Sequence, residues 1–173
     1  ALTIDVAAES NGGTYIRSAG KQIAPDGSIR REWWTGIGGG TSVSDLTSQP
    51  DYPANPDGSD GLDVFQIDTN WDSFGQKLSG YLVPDQTGDY TFWIVSDDNS
   101  ELWLSSDSGP ANKQMVADVT GWANWNNWND GDVHSSDDLG LTLTLQAGQK
   151  YFIEALHKEG SGGDHVQVFW ELN

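Results

Sequence analysis

The sequence predicts an all-β fold, an antiparallel β-sandwich with long ordered surface loops. Three observations predict it. After Gln76, apolar and polar residues alternate over short runs, and no stretch sustains a helical period. Gly, Asp, Asn and Pro bound those runs, which is turn chemistry. Of the 26 acidic residues 20 are Asp, a loop former, rather than Glu, a helix former. With 173 residues, 36% hydrophobic and 11% aromatic, the chain can bury a core. A single domain spanning residues 1–173 is therefore expected, with no internal repeat.

The elements follow in order. The first 30 residues read as opening strands, paired as a hairpin. From Arg31, "REWWTGIGGGTSVSDLTSQPDYPANPDGSDG" is rich in Gly, Pro and Asp. Its Gly36 to Gly61 part is expected to lie as ordered loop on the sandwich, pinned by Trp33, Trp34 and Tyr52, with one helical turn at "VSDLT". "KLSGYLVP" and "DYTFWIVS", joined by "DQTG", read as a second hairpin. "LGLTLTLQAGQKYFIEAL" reads as another. In it Leu139, Leu141, Leu143 and Leu145 share a face, and Tyr151, Ile153 and Ala155 alternate with Phe152, Glu154 and Leu156. The last strand, "HVQVFWEL", points Val166, Val168, Trp170 and Leu172 inward.

Charge narrows the function. A formal net charge of −18, with 8 Lys and Arg, excludes the basic footprint of a nucleic-acid binder and disfavours anionic lipid surfaces. No apolar run approaches the roughly 18 residues of a membrane span, so membrane insertion is not expected. No signal-peptide pattern stands at the N-terminus. The absence of cysteine removes disulfides and thiolate metal sites. This suits an extracellular or cell-surface module of bacterial type. Self-repulsion at such a charge opposes compaction, and bound cations relieve it. A solvated acidic surface accounts for most of the Asp residues.

"WIVSDDNSELWL" is the exception. Its two strand-like runs meet at a turn that opens with adjacent carboxylates, Asp97 and Asp98, where Asn-Gly would turn more easily. Asp137-Asp138 repeats the dipeptide without flanking strands and reads as surface. "NPDGSDGLD" and "NDGDVHSSDD" lack the spacing of an EF-hand loop. In "GWANWNNWNDGD", Trp122, Trp125 and Trp128 recur among Asn and Gly, which make poor helix. Two of these rings are expected to staple the loop to the sandwich, and Trp122 to border a ligand, since exposed Trp stacks on sugar rings. The spacing of His134, His157 and His165 fits no zinc motif. His157 and His165 flank "GSGG", where one can hydrogen-bond a ligand or serve the structure.

The stretches "REWWTGIGG", "LTSQPDYPANPDGSD", "GQKLSGYLVPDQTGDYTFWIVSDDNSELWLSSD" and "LQAGQKYFIEALHKEGSGGDHVQVFW" together resemble the PA-fourteen domain. That β-sandwich family is named for the anthrax protective antigen and also occurs in yeast flocculins, adhesins and glycosidases. The resemblance covers Arg31 to the C-terminus. It implies that Asp97 and Asp98 ligate a calcium ion at the sandwich tip, that Glu159 sits at a side-chain ligand position, and that carbonyls of Gly160 and Gly162 contribute. Sugar hydroxyls then coordinate the same ion, with Trp122, Gly162, Asp164 and His165 around them. The residues agree. Calcium takes about 6–8 oxygen ligands, and adjacent carboxylates become an asset once a cation sits between them. Turning both onto one ion calls for an unusual backbone, such as a cis peptide. Glycines in the partner loop let carbonyls approach.

Three functions remain open at this level. The first is a calcium-dependent carbohydrate-binding module of a larger adhesin or carbohydrate-active protein, binding glycans or monosaccharides through vicinal hydroxyls. The second is a calcium-stabilised structural or protein-interaction domain without sugar binding. A hydrolase is the third, but no catalytic motif stands in the chain, and the expectation is that it is not an enzyme.

Overall fold

A computed structural model describes residues 5–8, 14–17 and 29–173. Its strands are β1 (Asp5–Ala8), β2 (Thr14–Arg17), β3 (Ile29–Thr35), β4 (Gly58–Leu62), β5 (Gln66–Ile67), β6 (Phe74–Leu82) and β7 (Gly88–Ser96). They continue with β8 (Ser100–Ser105), β9 (Lys113–Val119), β10 (Val133–His134), β11 (Leu143–Leu145), β12 (Tyr151–Glu159) and β13 (Val166–Leu172). One helix, α1 (Val43–Thr47), and a 3₁₀ turn at Pro110–Asn112 complete the described elements. The expected helical turn at "VSDLT" is this α1.

Two antiparallel sheets face each other. One runs β1-β2-β13-β7-β11, with β5 also on β13; the other runs β10-β9-β8-β12-β6-β3-β4. Between them Leu78, Leu82, Leu102 and Ile153 of one sheet meet Phe92, Ile94, Val168 and Trp170 of the other, all essentially inaccessible.

The opening hairpin stands, as β1 against β2. The other two expected hairpins do not. β6 and β7 lie in different sheets, and so do β11 and β12. β6 pairs with β12 and β3, whereas β11 pairs with β7. Period-2 alternation records which side of a strand is buried. In a sandwich both inner faces are buried, so the pattern is the same whether successive strands pair or stack. Leu139 departs as well: strand geometry begins only at Leu143, and Leu139 is an exposed turn residue.

The Gly36–Gly61 stretch is more than loop. β4 pairs with β3 as an edge strand, and α1 buries Val43 and Leu46. Leu46 joins Trp34, Ile37 and Tyr52 in a small second core. It seats on β6 at Gly75, where a Cβ would fall 2.7 Å from Leu46 Cδ1. Leu46→Ala should therefore cost about 2–5 kcal/mol, the range for emptying a buried Leu site. Urea denaturation is the measurement, and an unchanged midpoint would show that this layer carries no stability.

Candidate metal centre

β7 ends in one sheet and β8 begins in the other, and Asp97-Asp98 is the crossing point. At the same end β12 closes with Glu159 and β13 opens with Val166, so residues 160–165 form the neighbouring loop. The Asp97–Asp98 peptide is cis.

All four backbone groups of the dipeptide are tied. Asp97 N–H donates to the carbonyl of His165 at 3.0 Å, and Asp97 C=O accepts from His157 Nε2 at 2.7 Å. Asp98 N–H donates to Glu159 Oε2 at 2.8 Å, and Asp98 C=O accepts from the Ser96 hydroxyl at 2.5 Å. Such anchoring leaves the two side chains little freedom. One carboxylate oxygen from each of Asp97, Asp98 and Glu159 falls within 4.8 Å of the others.

Burial makes that proximity costly. Glu159 is fully buried, and its Oε1 has no hydrogen-bond partner. Desolvation, then the charge of Asp98, pushes its pKa up to about 8. Asp97 is pushed up to about 6 by desolvation and then by Asp98. Lys158, next to Glu159 in sequence and also buried, is turned by alternation to the opposite face of β12, where its ammonium donates to the Glu159 carbonyl. Three convergent carboxylates, one with a stranded oxygen, are a donor set that a hard divalent cation could take.

The glycine loop works differently from expectation. Gly160, expected to offer its carbonyl, spends that carbonyl on the backbone N–H of Ser73 and donates its own N–H to Asp98 Oδ2 at 3.0 Å. Gly162, at φ +120°, donates its N–H to Asp72. Gly163 has the sharpest requirement: a Cβ there would lie 2.3 Å from Asp97 Oδ2.

Two residues expected to face the ligand are buried. Asp164 is buried, and its carboxylate accepts from the Thr69 N–H and hydroxyl and from the Trp71 N–H, which braces the loop before β6. His165 is also buried, with its ring edge-on to Trp125 at 5.2 Å. Both stand in the loop just before β13, and sequence could not show that contacts with the Thr69–Trp71 segment and with Trp125 bury them there. Trp122 is 52% exposed, and its backbone bridges to Asp97. Of the other two rings, Trp128 packs on Phe169 with centroids 3.4 Å apart, while Trp125 is itself exposed. Asp137 and Asp138 are surface residues, as expected. Gly163, Ser96, Gln76 and Arg31 escaped the sequence reading. The available signal was a polar residue at an inward position of an alternating strand, as for Gln76 before Leu78.

Residues 38–173 match the family model of the PA14 domain. The chain belongs to the PA14 domain family. This PA14 domain is 34% identical over 132 residues to the mouse N-acetyl-beta-glucosaminyl-glycoprotein 4-beta-N-acetylgalactosaminyltransferase 1, covering 76% of the chain and 13% of that protein. It is 41% identical over 85 residues to mouse fibrocystin, covering 47% of the chain and 2% of that protein. The chain thus spans a small part of its curated relatives. Among solved structures, the A domain of Candida glabrata epithelial adhesin 9 in complex with Galβ1-3GlcNAc superimposes with a TM-score of 0.57 at 15% identity, covering 84% of this chain and 81% of that one. The PA14 domain of the antifreeze protein MpAFP gives 0.55 at 16% identity, covering 84% and 82%. A β-glucosidase from Kluyveromyces marxianus gives 0.61 at 16% identity, covering 99% of this chain but 19% of the enzyme. At these identities the likeness is one of fold.

Proposed function

We propose that this PA14 domain is a calcium-dependent glycan-binding module of a larger extracellular or cell-surface protein, and that it binds without catalysing. Asp97, Asp98 and Glu159 hold the ion. The observation that carries this reading is the buried, unpartnered Oε1 of Glu159 within reach of the two aspartates. A buried acceptor with no donor is an unmet requirement, and a divalent cation meets it. The two aspartates are only half-buried, and Trp122 beside them is exposed, so the site opens to solvent. Calcium at such a place supplies coordination positions that vicinal sugar hydroxyls can take from water, and Trp122 offers an apolar face to the sugar ring. The adhesin complex with Galβ1-3GlcNAc, on the same fold, favours sugar over other oxygen ligands.

Exchange of water for hydroxyl gains little per contact. A single sugar should bind with a Kd on the order of 1 mM, about −4 kcal/mol, and useful adhesion then comes from many contacts together. The test is titration of monosaccharides and lactose followed by heteronuclear NMR, in calcium and in chelator. The expected result is a set of shifts around Asp97, Asp98, Trp122 and Gly160–Gly163, present with calcium and lost with chelator. Calcium uptake without any sugar-dependent shift would instead favour an ion that only stiffens the domain.

A further inference from the structure

The carboxylate cluster rests on a buried polar row that crosses three strands of one sheet. Arg31 on β3, Gln76 on β6 and His157 on β12 all point into the sandwich at the end that carries the cluster, and each is at most 3% exposed. Arg31 Nε donates to Gln76 Oε1 at 2.6 Å. Gln76 Nε2 meets His157 Nδ1 at 2.9 Å, and His157 Nε2 meets the Asp97 carbonyl at 2.7 Å. Gln76 and His157 are register partners across β6 and β12, so the backbone ladder itself sets their approach.

The row has a direction. An arginine Nε–H can only donate. Facing it, Gln76 must present its oxygen, which leaves its NH₂ toward the imidazole. His157 Nδ1 must then accept, and the ring carries its proton on Nε2, where it can donate to Asp97. A ring that accepts at Nδ1 and donates at Nε2 is the neutral tautomer, as its complete burial also favours. Arg31 itself packs against Trp33 and Trp71, 4.8 and 5.1 Å from their ring centroids.

We infer that Arg31, Gln76 and His157 are positioning residues: the fixed donor of Arg31 sets the Gln76 amide, which sets the His157 tautomer, which pins the Asp97 carbonyl. The pinned backbone holds the Asp97 carboxylate against Asp98 and Glu159. Its consequence for metal affinity rests on the calcium reading above, whereas the tautomer does not. Partners one step removed from metal ligands typically contribute about 10–100-fold in affinity.

Two measurements test the row. In the metal-free wild-type protein, side-chain ¹⁵N NMR should show His157 with a pyrrole-type Nε2 and a pyridine-type Nδ1. In Gln76→Glu, the carboxylate accepts from both Arg31 and the ring, so Nδ1 should gain a proton. A wild-type ring protonated on Nδ1, or a Gln76→Glu spectrum identical to wild type, overturns the inference without any need for metal. Calorimetric titration with calcium should then show Gln76→Leu weakened about 10–100-fold, with Gln76→Glu recovering much of the loss. An unchanged Kd in Gln76→Leu overturns the link to the cluster. A wild-type protein that takes up no calcium overturns the proposed function, and the NMR result still decides the row.

Discussion

Removing calcium should lower the melting temperature of the wild-type protein by about 5–11 °C, and the double variant Asp97→Ala/Asp98→Ala should show no such difference. An ion present at a hundredfold excess over its dissociation constant stabilises the folded state by about 2.7 kcal/mol. For a chain of this size each kcal/mol moves the melting temperature by about 2–4 °C. The double variant loses two of the three converging carboxylates, and Glu159 alone cannot hold the ion. In chelator the double variant has less like charge to confine, since proximity to Asp98 helps push the Asp97 pKa up to about 6. Scanning calorimetry with calcium and with chelator, on both proteins, is the measurement. A double variant that still melts higher in calcium would place the ion elsewhere.

Glu159→Gln should change stability in opposite directions with and without calcium. The folded-state pKa of Glu159 is raised from 4.5 to about 8, chiefly by burial. Between those values the folded chain holds a proton that the unfolded chain has lost. Metal-free stability therefore falls as pH rises through that window, by about 1.4 kcal/mol per unit at most, or a few kcal/mol in all. Asp97 adds a slope of the same sign at lower pH. Glutamine is neutral throughout and keeps an oxygen to accept the Asp98 N–H. In chelator the variant should match wild type near pH 5 and exceed it by a few kcal/mol near pH 8. In calcium the order reverses, because wild type keeps the third carboxylate ligand. Urea unfolding of both proteins at the two pH values isolates the effect of Glu159 together with its coupling to Asp97 and Asp98, since groups away from the cluster cancel in the difference. If the variant gains nothing at pH 8 in chelator, Glu159 is not charged and buried as described.

Sequence alone reached the fold class, because period-2 alternation and turn chemistry are local properties, as in Val166, Val168 and Trp170 of β13. It also singled out Asp97 and Asp98, because two adjacent charges at a turn contradict the local rule for turns. It could not assign strands to sheets. β6 and β7 alternate as hairpin arms would, and only packing decides that they belong to opposite sheets. The centre itself depends on that decision. Asp97 and Asp98 lie 61 or more residues from Glu159 in the chain and meet it because the sheet crossing brings the two strand ends together. Asp164 and His165 likewise read as open loop positions, and only contacts with Thr69, Trp71 and Trp125, distant in the chain, bury them. Arg31, Gln76 and His157 show the boundary. Each stands at an inward strand position, which alternation reveals, but that they form one directed row follows from strand register and from the bonds made across it. Local chemistry writes which side chains go inside; the pairing of distant strands decides which of them meet.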